Sequence, residues 1–158
     1  MTTDKEIFRD PDLSNRQLNL TVERLMNLKP ETLFNAWTKE FDVWFAAPGS
    51  VLMTRKVNTP FFFETEFKPN ENSEIQRSPH YGRFLQLVPN QLIKLTWVTG
   101  TGGTKGIETV VTVELKPKDE KTLVKLTHSG FPDEESKNGH QQAWPMVLEQ
   151  LEKRYTEK

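Results

Sequence analysis

Hydrophobic and polar residues alternate along most of the middle of the chain. In the segment LNLTVERL, Leu18, Leu20 and Val22 share one face and polar side chains occupy the other, which predicts a half-buried strand. The same period of two predicts further strands over residues 51–57, 61–67, 81–88, 91–98, 107–115 and 122–128. Apart from a polar hairpin loop expected over residues 68–79, the connections are short, so we expect an antiparallel meander of six or seven strands.

Helical spacing replaces this alternation in three places. KPETLFNAW carries Pro30 at a favourable first helical position and an apolar face behind it, and EFDVWFAAPG predicts a second, shorter helix. Near the C-terminus, residues recur at helical spacing along one largely apolar face: His140, Trp144, Val147, Leu148, Leu151 and Tyr155. A sheet with one apolar face needs a cover, so we expect the sheet to curve around this long terminal helix.

Pro145 lies inside that terminal helical pattern, in the segment GHQQAWPMVLEQLEKRY. A proline removes one backbone donor and pushes against the carbonyl four residues earlier, that of Gln141. The loss is small near the start of a helix, where the amides lack helical partners. We therefore expect the best-formed helix from about Pro145 onward, after a looser segment that begins near Asp133. The alternative is a full helix from Asp133 with a kink at Pro145, and the sequence leaves both open.

Length and composition indicate one soluble domain. The chain has 158 residues, of which we assign 1–16 to a loosely ordered N-terminal arm, with Ile7 and Phe8 held against the body, and 17–158 to a single domain. The net charge is −1, so the chain has no basic field to hold nucleic acid. It contains no cysteine, which excludes disulfides and thiolate chemistry. With no apolar run of a signal peptide or membrane span, we expect a cytoplasmic protein, monomeric or weakly dimeric.

The order of these segments resembles the START-like (SRPBCC) superfamily, whose fold is called helix-grip or Bet v 1-like. Within it, the chain resembles the activator of heat shock protein 90 ATPase homologue family in its small, single-domain bacterial form. The matching segments run from about residue 18 to the C-terminus: KPETLFNAWTKEFDVWFAAPG, YGRFLQLVPNQLIKLTW, VTVELKP with TLVKLTHSGF, and AWPMVLEQLEKRY. Two positions depart from the family pattern, since VNTPFFF replaces a frequent Gly-Gly pair and Ala143 replaces a glycine before the helical tryptophan.

The resemblance implies a fold and three functions. The fold is α+β, with a curved antiparallel sheet of six to seven strands around a long C-terminal helix and two short helices after the first strand. The first function is binding of a small apolar or amphipathic ligand in a cavity between sheet and helix. The second is a chaperone cofactor acting on the heat shock protein 90 ATPase. The third is an enzyme of the cyclase or hydrolase type. We rank them in that order.

The residues that commonly carry chemistry form no catalytic or metal-binding set in the sequence. His80, His128 and His140 have no ligand spacing, so we expect no metal, and nothing in the sequence calls for a cofactor. His128 shares a strand face with Val124 and Leu126, and we favour a hydrogen-bonded core histidine over a ligand contact. TGTGGTKG lacks the spacing of a phosphate-binding loop and is better interpreted as a flexible hairpin loop beside a cavity mouth.

Aromatic residues on inward faces are the main indication of a binding site. Each of them is most simply a core residue, but together they could line an apolar cavity. Arg83 is expected to share a face with Leu85 and Leu87, where it could supply a buried charge for an acidic ligand group. The predicted cavity residues are Trp44, Phe61, Phe63, Arg83, Leu85, Trp97, His128, Trp144 and Leu148.

Overall fold

Six strands and three helices follow one another in the part of the chain that the structure, a computed structural model, describes: residues 10–68 and 70–157. Ile7 and Phe8 lie outside these residues. The strands are β1 (Asn19–Met26), β2 (Pro60–Phe67), β3 (Gln76–Val88), β4 (Leu92–Trp97), β5 (Thr109–Lys118) and β6 (Lys121–Ser129). The helices are α1 (Pro30–Thr38), α2 (Phe41–Trp44) and α3 (Glu134–Thr156).

All six strands form one antiparallel sheet in the order β1-β6-β5-β4-β3-β2. Strands β2 to β6 form a meander, and β1 closes the sheet beside β6, with Leu20 opposite His128. The apolar face of the sheet is buried together with Trp144, Leu148 and Leu151 of α3. The α+β fold expected from the alternating and helical patterns is therefore confirmed, with six strands.

The predicted strand over residues 51–57 is wrong. Only two isolated bridges form there, Leu52 with Phe62 and Val57 with Phe84. The backbone turns where the Lys56 amide donates to the carbonyl of Thr54, and Asn58 adopts a left-handed φ of 65°. These turns interrupt a continuous hydrogen-bonded ladder, although the side chains still alternate in the sequence. Strand β3, in contrast, begins at Gln76, so the polar connection before it is shorter than predicted.

Helix α3 is continuous through Pro145, so the expectation that the best-formed helix starts near that residue is wrong. Its N-terminus is capped by Asp133, whose carboxylate accepts from the amide of Ser136 at 2.9 Å. Glu134 and Glu135 in the first turn suit the positive end of the helix dipole. Pro145 is exposed, so water can satisfy the carbonyl that it leaves without a helical donor.

A β-bulge in β3 changes which residues face the core. The register with β4 shifts between Phe84, which pairs with Leu95, and Gln86, which pairs with Lys94. As a result Phe84 and Leu87 both contact the core, although they are three positions apart. The expectation that Arg83, Leu85 and Leu87 share an inward face is therefore corrected. Arg83, next to buried Phe84, belongs to the opposite face.

The described part of the N-terminal segment, residues 10–16, contacts one end of the sheet. The guanidinium of Arg16 donates to the carbonyl of Gly130 at 2.9 Å and to that of Glu108 at 2.8 Å. Leu13 lies so close to Gly130 that a Cβ there would meet its methyl carbon at 2.7 Å. Gly130 also has a φ of 90°, so the chain needs glycine at this turn into α3 for two reasons.

Candidate functional site

A cavity of about 440 Å³ opens between the N-terminal half of α3, the C-terminal end of β2, the N-terminal part of β3 and the β4–β5 loop, residues 98–108. Its lining combines aromatic rings with hydroxyl and imidazole groups. The lining residues that the structure describes include no Lys, Arg, Asp or Glu. They are Phe45, Thr65, Phe67, Ser78, His80, Trp97, Thr99, Thr101, Gly102, Gly103, His140, Ala143, Trp144 and Val147.

The pairing of β2 with β3 places the first histidine against an aromatic wall. Phe63 lies opposite His80 in the register, and the two rings stack with centroids 4.9 Å apart. Trp97 and Phe45 contact the same imidazole edge-on, at 5.2 and 5.7 Å. Burial among these rings disfavours the charged imidazolium and lowers the pKa of His80 from 6.5 to about 4. His80 is therefore neutral at physiological pH.

The second histidine of the cavity, His140, lies one turn before Trp144 on α3. Its Nδ1 lies 2.7 Å from the carbonyl oxygen of Ser136, one helical turn earlier. Burial lowers the pKa of His140 as well, while the hydrogen bond to Ser136 opposes that shift. The Nδ1 of His80 has a similar partner, the carbonyl oxygen of Ser78 at 3.2 Å. Both imidazoles are thus oriented by the backbone of their own element.

The third histidine, His128, does not line the cavity, and both of its ring nitrogens have hydrogen-bond partners. The Trp144 Nε1–H donates to His128 Nδ1 at 3.0 Å. Thr109 Oγ1 donates its only proton to the carbonyl of Trp97 at 2.6 Å, so it accepts from His128 Nε2 at 2.7 Å. His128 is fully buried, and desolvation holds its pKa well below the usual value. This imidazole is a neutral core group that fixes Trp144 against the sheet.

The β4–β5 loop closes one side of the cavity and is tied to α3. Thr99 and Thr104 exchange backbone and side-chain hydrogen bonds within the loop. Lys105 Nζ lies 2.8 Å from the Asp133 carboxylate and 2.6 Å from that of Glu135. These hydrogen bonds raise the pKa of Lys105. Buried Ser136 donates to the carbonyl of Gly103 at 2.8 Å, which adds a second tie at the start of the helix.

The structure distributes the nine predicted cavity residues over three environments. Trp97 and Trp144 line the cavity, with ring centroids 5.3 Å apart. Others are buried core residues around it: Trp44, Phe61, Phe63, His128 and Leu148. Arg83 and Leu85 do not line it. Arg83 instead lies 3.4 Å from the Glu108 carboxylate.

Sequence reasoning missed several lining residues, including both cavity histidines. His140 belonged to the predicted helical stripe, and its position one turn before Trp144 could have placed it at the same site. His80 lies on the same face as Phe84, two alternations earlier, so a correct face assignment for β3 would have found it. Within the described residues no group of three or more His, Asp or Glu side chains could hold a metal ion. None of the described helices is long and apolar enough to cross a membrane.

A six-stranded antiparallel sheet that curves around one long C-terminal helix, preceded by two short helices after β1, defines the helix-grip class of START-like proteins. The chain belongs to one family of that class. Residues 27–156 match the family described as "Activator of Hsp90 ATPase homolog 1-like protein". No curated protein matches the chain in sequence.

Solved structures support the same fold at low sequence identity. Protein MLL2253 from Mesorhizobium loti is 21% identical with a TM-score of 0.68, over 89% of this chain and 98% of that one. Protein CV1439 from Chromobacterium violaceum is 22% identical with a TM-score of 0.68, over 85% and 94%. The Aha1 dimer from Colwellia psychrerythraea is 17% identical with a TM-score of 0.61, over 85% and 93%.

Proposed function

We propose that the protein binds a small apolar or amphipathic molecule in the cavity between the sheet and α3. The observation that carries this proposal is a cavity of about 440 Å³ whose lining sets four aromatic rings, an alanine and a valine beside four hydroxyl and two imidazole side chains. Binding sites for small molecules are typically concave spaces of about 300–1,000 Å³ that combine hydrophobic and aromatic side chains with a few placed polar groups. The chemical nature of the wall favours a ligand with an apolar body.

Exposed apolar surface at the mouth supports the same proposal. Phe67 is 45% exposed although its side chain lines the cavity. Trp97 and Trp144 lie deeper and are almost completely buried. A ligand that covers this wall removes apolar area from water, which stabilises the complex by about 25 cal/mol per Å². Ring-sized molecules gain the most, because they can pack against flat aromatic faces.

The test is a titration with the uncharged fluorophore N-phenyl-1-naphthylamine. We expect saturable binding with increased probe emission. The variant Ala143→Phe adds a ring to a residue that lines the cavity and should weaken binding at least several-fold. Met146→Phe places the same ring on the same helix at a side chain that is 70% exposed and outside this cavity, so affinity should be unchanged. Absence of saturable binding, or equal weakening by both variants, would contradict the proposal.

A chaperone cofactor is the second candidate, because the family description names an activator of the Hsp90 ATPase. We expect this chain, added to purified Hsp90, to leave ATP turnover unchanged. A reproducible several-fold stimulation would reverse the ranking, and the variant Ala143→Phe would then show whether the cavity takes part. An enzyme of the cyclase or hydrolase type is the third candidate, since two neutral imidazoles line the cavity.

We also propose a cytoplasmic location and a monomer or weak homodimer. The absence of cysteine supports a reducing compartment. The related protein from Colwellia psychrerythraea is described as a dimer. Light scattering after size exclusion, over a range of concentrations, measures the oligomeric state. A tight dimer at the lowest detectable concentration would contradict this proposal.

A further inference from the structure

We infer that the ligand is a neutral, ring-bearing alcohol or phenol whose hydroxyl group donates a hydrogen bond to Nε2 of His80 or His140. This inference rests on the proposed function and specifies its ligand. It follows from the hydrogen-bonding state of three cavity residues, which together present acceptors and a donor that the protein itself leaves unused.

The tautomers of the two cavity histidines are set by their backbone partners. A carbonyl oxygen only accepts hydrogen bonds, so the Nδ1 atoms that lie 3.2 Å from the Ser78 oxygen and 2.7 Å from the Ser136 oxygen carry the hydrogen. In a neutral imidazole, Nε2 is then a lone-pair acceptor. Each of these two lining histidines therefore carries one acceptor nitrogen, Nε2, and its only N–H is already bonded to the backbone.

Neither Nε2 atom is satisfied by the protein. Among the described residues, His80 and His140 have no partner for Nε2, and Trp37 Nε1 is the only sealed side-chain nitrogen or oxygen that lacks one. The two Nε2 atoms also lack a partner but are not among the fully enclosed atoms, so both remain accessible to solvent. Both residues line the cavity. Water covers such atoms in the free protein, and a ligand that displaces this water must replace its hydrogen bonds.

A donor without a partner belongs to another residue that lines the cavity. In the part of the chain that the structure describes, the indole N–H of Trp97 has no hydrogen-bond partner. It is not fully enclosed either, so it remains accessible to solvent. A hydroxyl group suits this combination, because it donates one hydrogen bond and accepts others. A carboxylate can only accept and an ammonium can only donate.

Charge on the lining further restricts the ligand. The described lining residues include no Lys or Arg to pair with an anion and no Asp or Glu to pair with a cation. The pKa of His80, lowered to about 4 by burial, means that this imidazole does not supply a positive charge either. An ionised ligand would lose hydration without gaining a counter-charge, so the cavity favours a neutral one.

The experiment compares 2-naphthol with 2-methoxynaphthalene, which keeps the ring system and the oxygen but has no donor. Dissociation constants are measured by calorimetry for the wild type, His80→Phe, His140→Phe and Tyr81→Phe. Phenylalanine preserves ring packing and removes the acceptor. Tyr81 is half exposed, pairs with Phe62 and lies outside the cavity, so its variant is the control. Thermal melting checks that each variant is folded.

The quantity of interest is the ratio of the dissociation constant of 2-methoxynaphthalene to that of 2-naphthol. We expect this ratio to fall roughly three- to ten-fold, the size of one net neutral hydrogen bond, in at least one histidine variant and to stay unchanged in Tyr81→Phe. If both compounds bind and the ratio is equal in every protein, the inference is overturned while the proposed function stands. If neither compound binds the wild type but N-phenyl-1-naphthylamine does, only the inference fails, and if none of the three binds, the proposed function fails as well. If one phenylalanine variant does not fold, the leucine variant at the same position, which also lacks the acceptor, takes its place.

Discussion

The interior of the protein contains two aromatic regions that resemble each other in ring spacing but differ in how their polar atoms are satisfied. Around α1 and α2, the ring centroids of Trp37 and Trp44 are 5.1 Å apart, and the Trp44 indole donates to the carbonyl of Ala36 at 2.9 Å. Around the cavity, those of Trp97 and Trp144 are 5.3 Å apart. We call these the filled region and the open region.

The difference lies in which unsatisfied atoms a ligand can reach. The filled region holds one indole N–H, that of Trp37, which is sealed without a partner in the described chain. The open region holds the Nε2 atoms of His80 and His140, which remain accessible. A sealed unsatisfied atom only lowers stability, whereas an accessible one can be satisfied by a bound molecule. Aromatic content alone therefore does not distinguish a core from a binding site.

The largest expected effect is in the filled region. The variant Trp44→Ala removes a buried ring and the hydrogen bond to Ala36, so we expect a loss of about 3–5 kcal/mol of unfolding free energy. Urea unfolding followed by circular dichroism measures it. The mutation at exposed Met146→Ala is the control and should change stability by less than about 0.5 kcal/mol. A loss below about 1 kcal/mol for Trp44→Ala would show that the region is not tightly filled.

The second effect is a loss of stability in mild acid. His80 has a pKa of about 4 in the folded protein against 6.5 normally. Between these values the unfolded chain binds more protons, so stability falls as the pH falls through 6.5 toward 4. His80 alone accounts for a loss of about 2 kcal/mol by about pH 5, and His128, whose pKa burial also lowers, adds to it.

Urea unfolding at neutral pH and near pH 5 measures this loss. His80→Phe keeps the stacking on Phe63 but cannot bind a proton, so its stability should depend less on pH than that of the wild type. Equal pH dependence in the two proteins would mean that His80 is protonated as easily in the folded as in the unfolded chain.

A third prediction separates the two regions by the same substitution. Trp144→Phe removes the donor to His128 Nδ1 and leaves a buried acceptor unsatisfied, which should cost about 1–3 kcal/mol and change probe affinity. Trp44→Phe should lower stability without changing probe affinity. Titration of N-phenyl-1-naphthylamine into both variants checks this. A change in affinity with Trp44→Phe but not with Trp144→Phe would reverse the assignment of the two regions.

The smallest expected effect concerns the tie between the β4–β5 loop and α3. Lys105→Gln removes the ion pairs with Asp133 and Glu135 at the surface, where such pairs contribute little to stability. We expect faster hydrogen exchange of the loop amides and faster probe dissociation, with little change in melting temperature. Lys153→Gln, which removes the Glu157 pair at the other end of the helix, should change neither rate. Unchanged rates in Lys105→Gln would mean that Ser136 alone holds the loop.

Periodicity in the sequence was sufficient to predict the class of fold and its six described strands, together with one strand, over residues 51–57, that does not form. Alternation identified six strands of the sheet, and helical spacing identified α3. Two errors arose because side-chain pattern does not report backbone hydrogen bonding. Residues 51–57 alternate in hydrophobicity, but their backbone turns and does not form a strand. Helix α3 continues through Pro145 because the exposed carbonyl that lacks a helical donor can bind water.

The candidate site was less predictable for a different reason. A cavity is a property of the space between elements, so inward aromatic residues predict its neighbourhood but not its walls. The alternation in the sequence does not reveal the bulge at Leu85. Because of this bulge, Arg83 lies on the outer face of β3, and His80 lies on the inward face. Trp97 and Trp144 could be predicted because both lie on regular elements.

The pairing of β1 with β6 has a consequence for the order in which the protein folds. Leu20 reaches its partner His128 only after a loop of roughly a hundred residues has closed, and such closure carries an entropic cost that slows folding. During synthesis, β1 and the two short helices emerge long before their partner strand exists. The meander from β2 to β6 needs only local turns, so it can form first and serve as the template on which β1 and α3 dock.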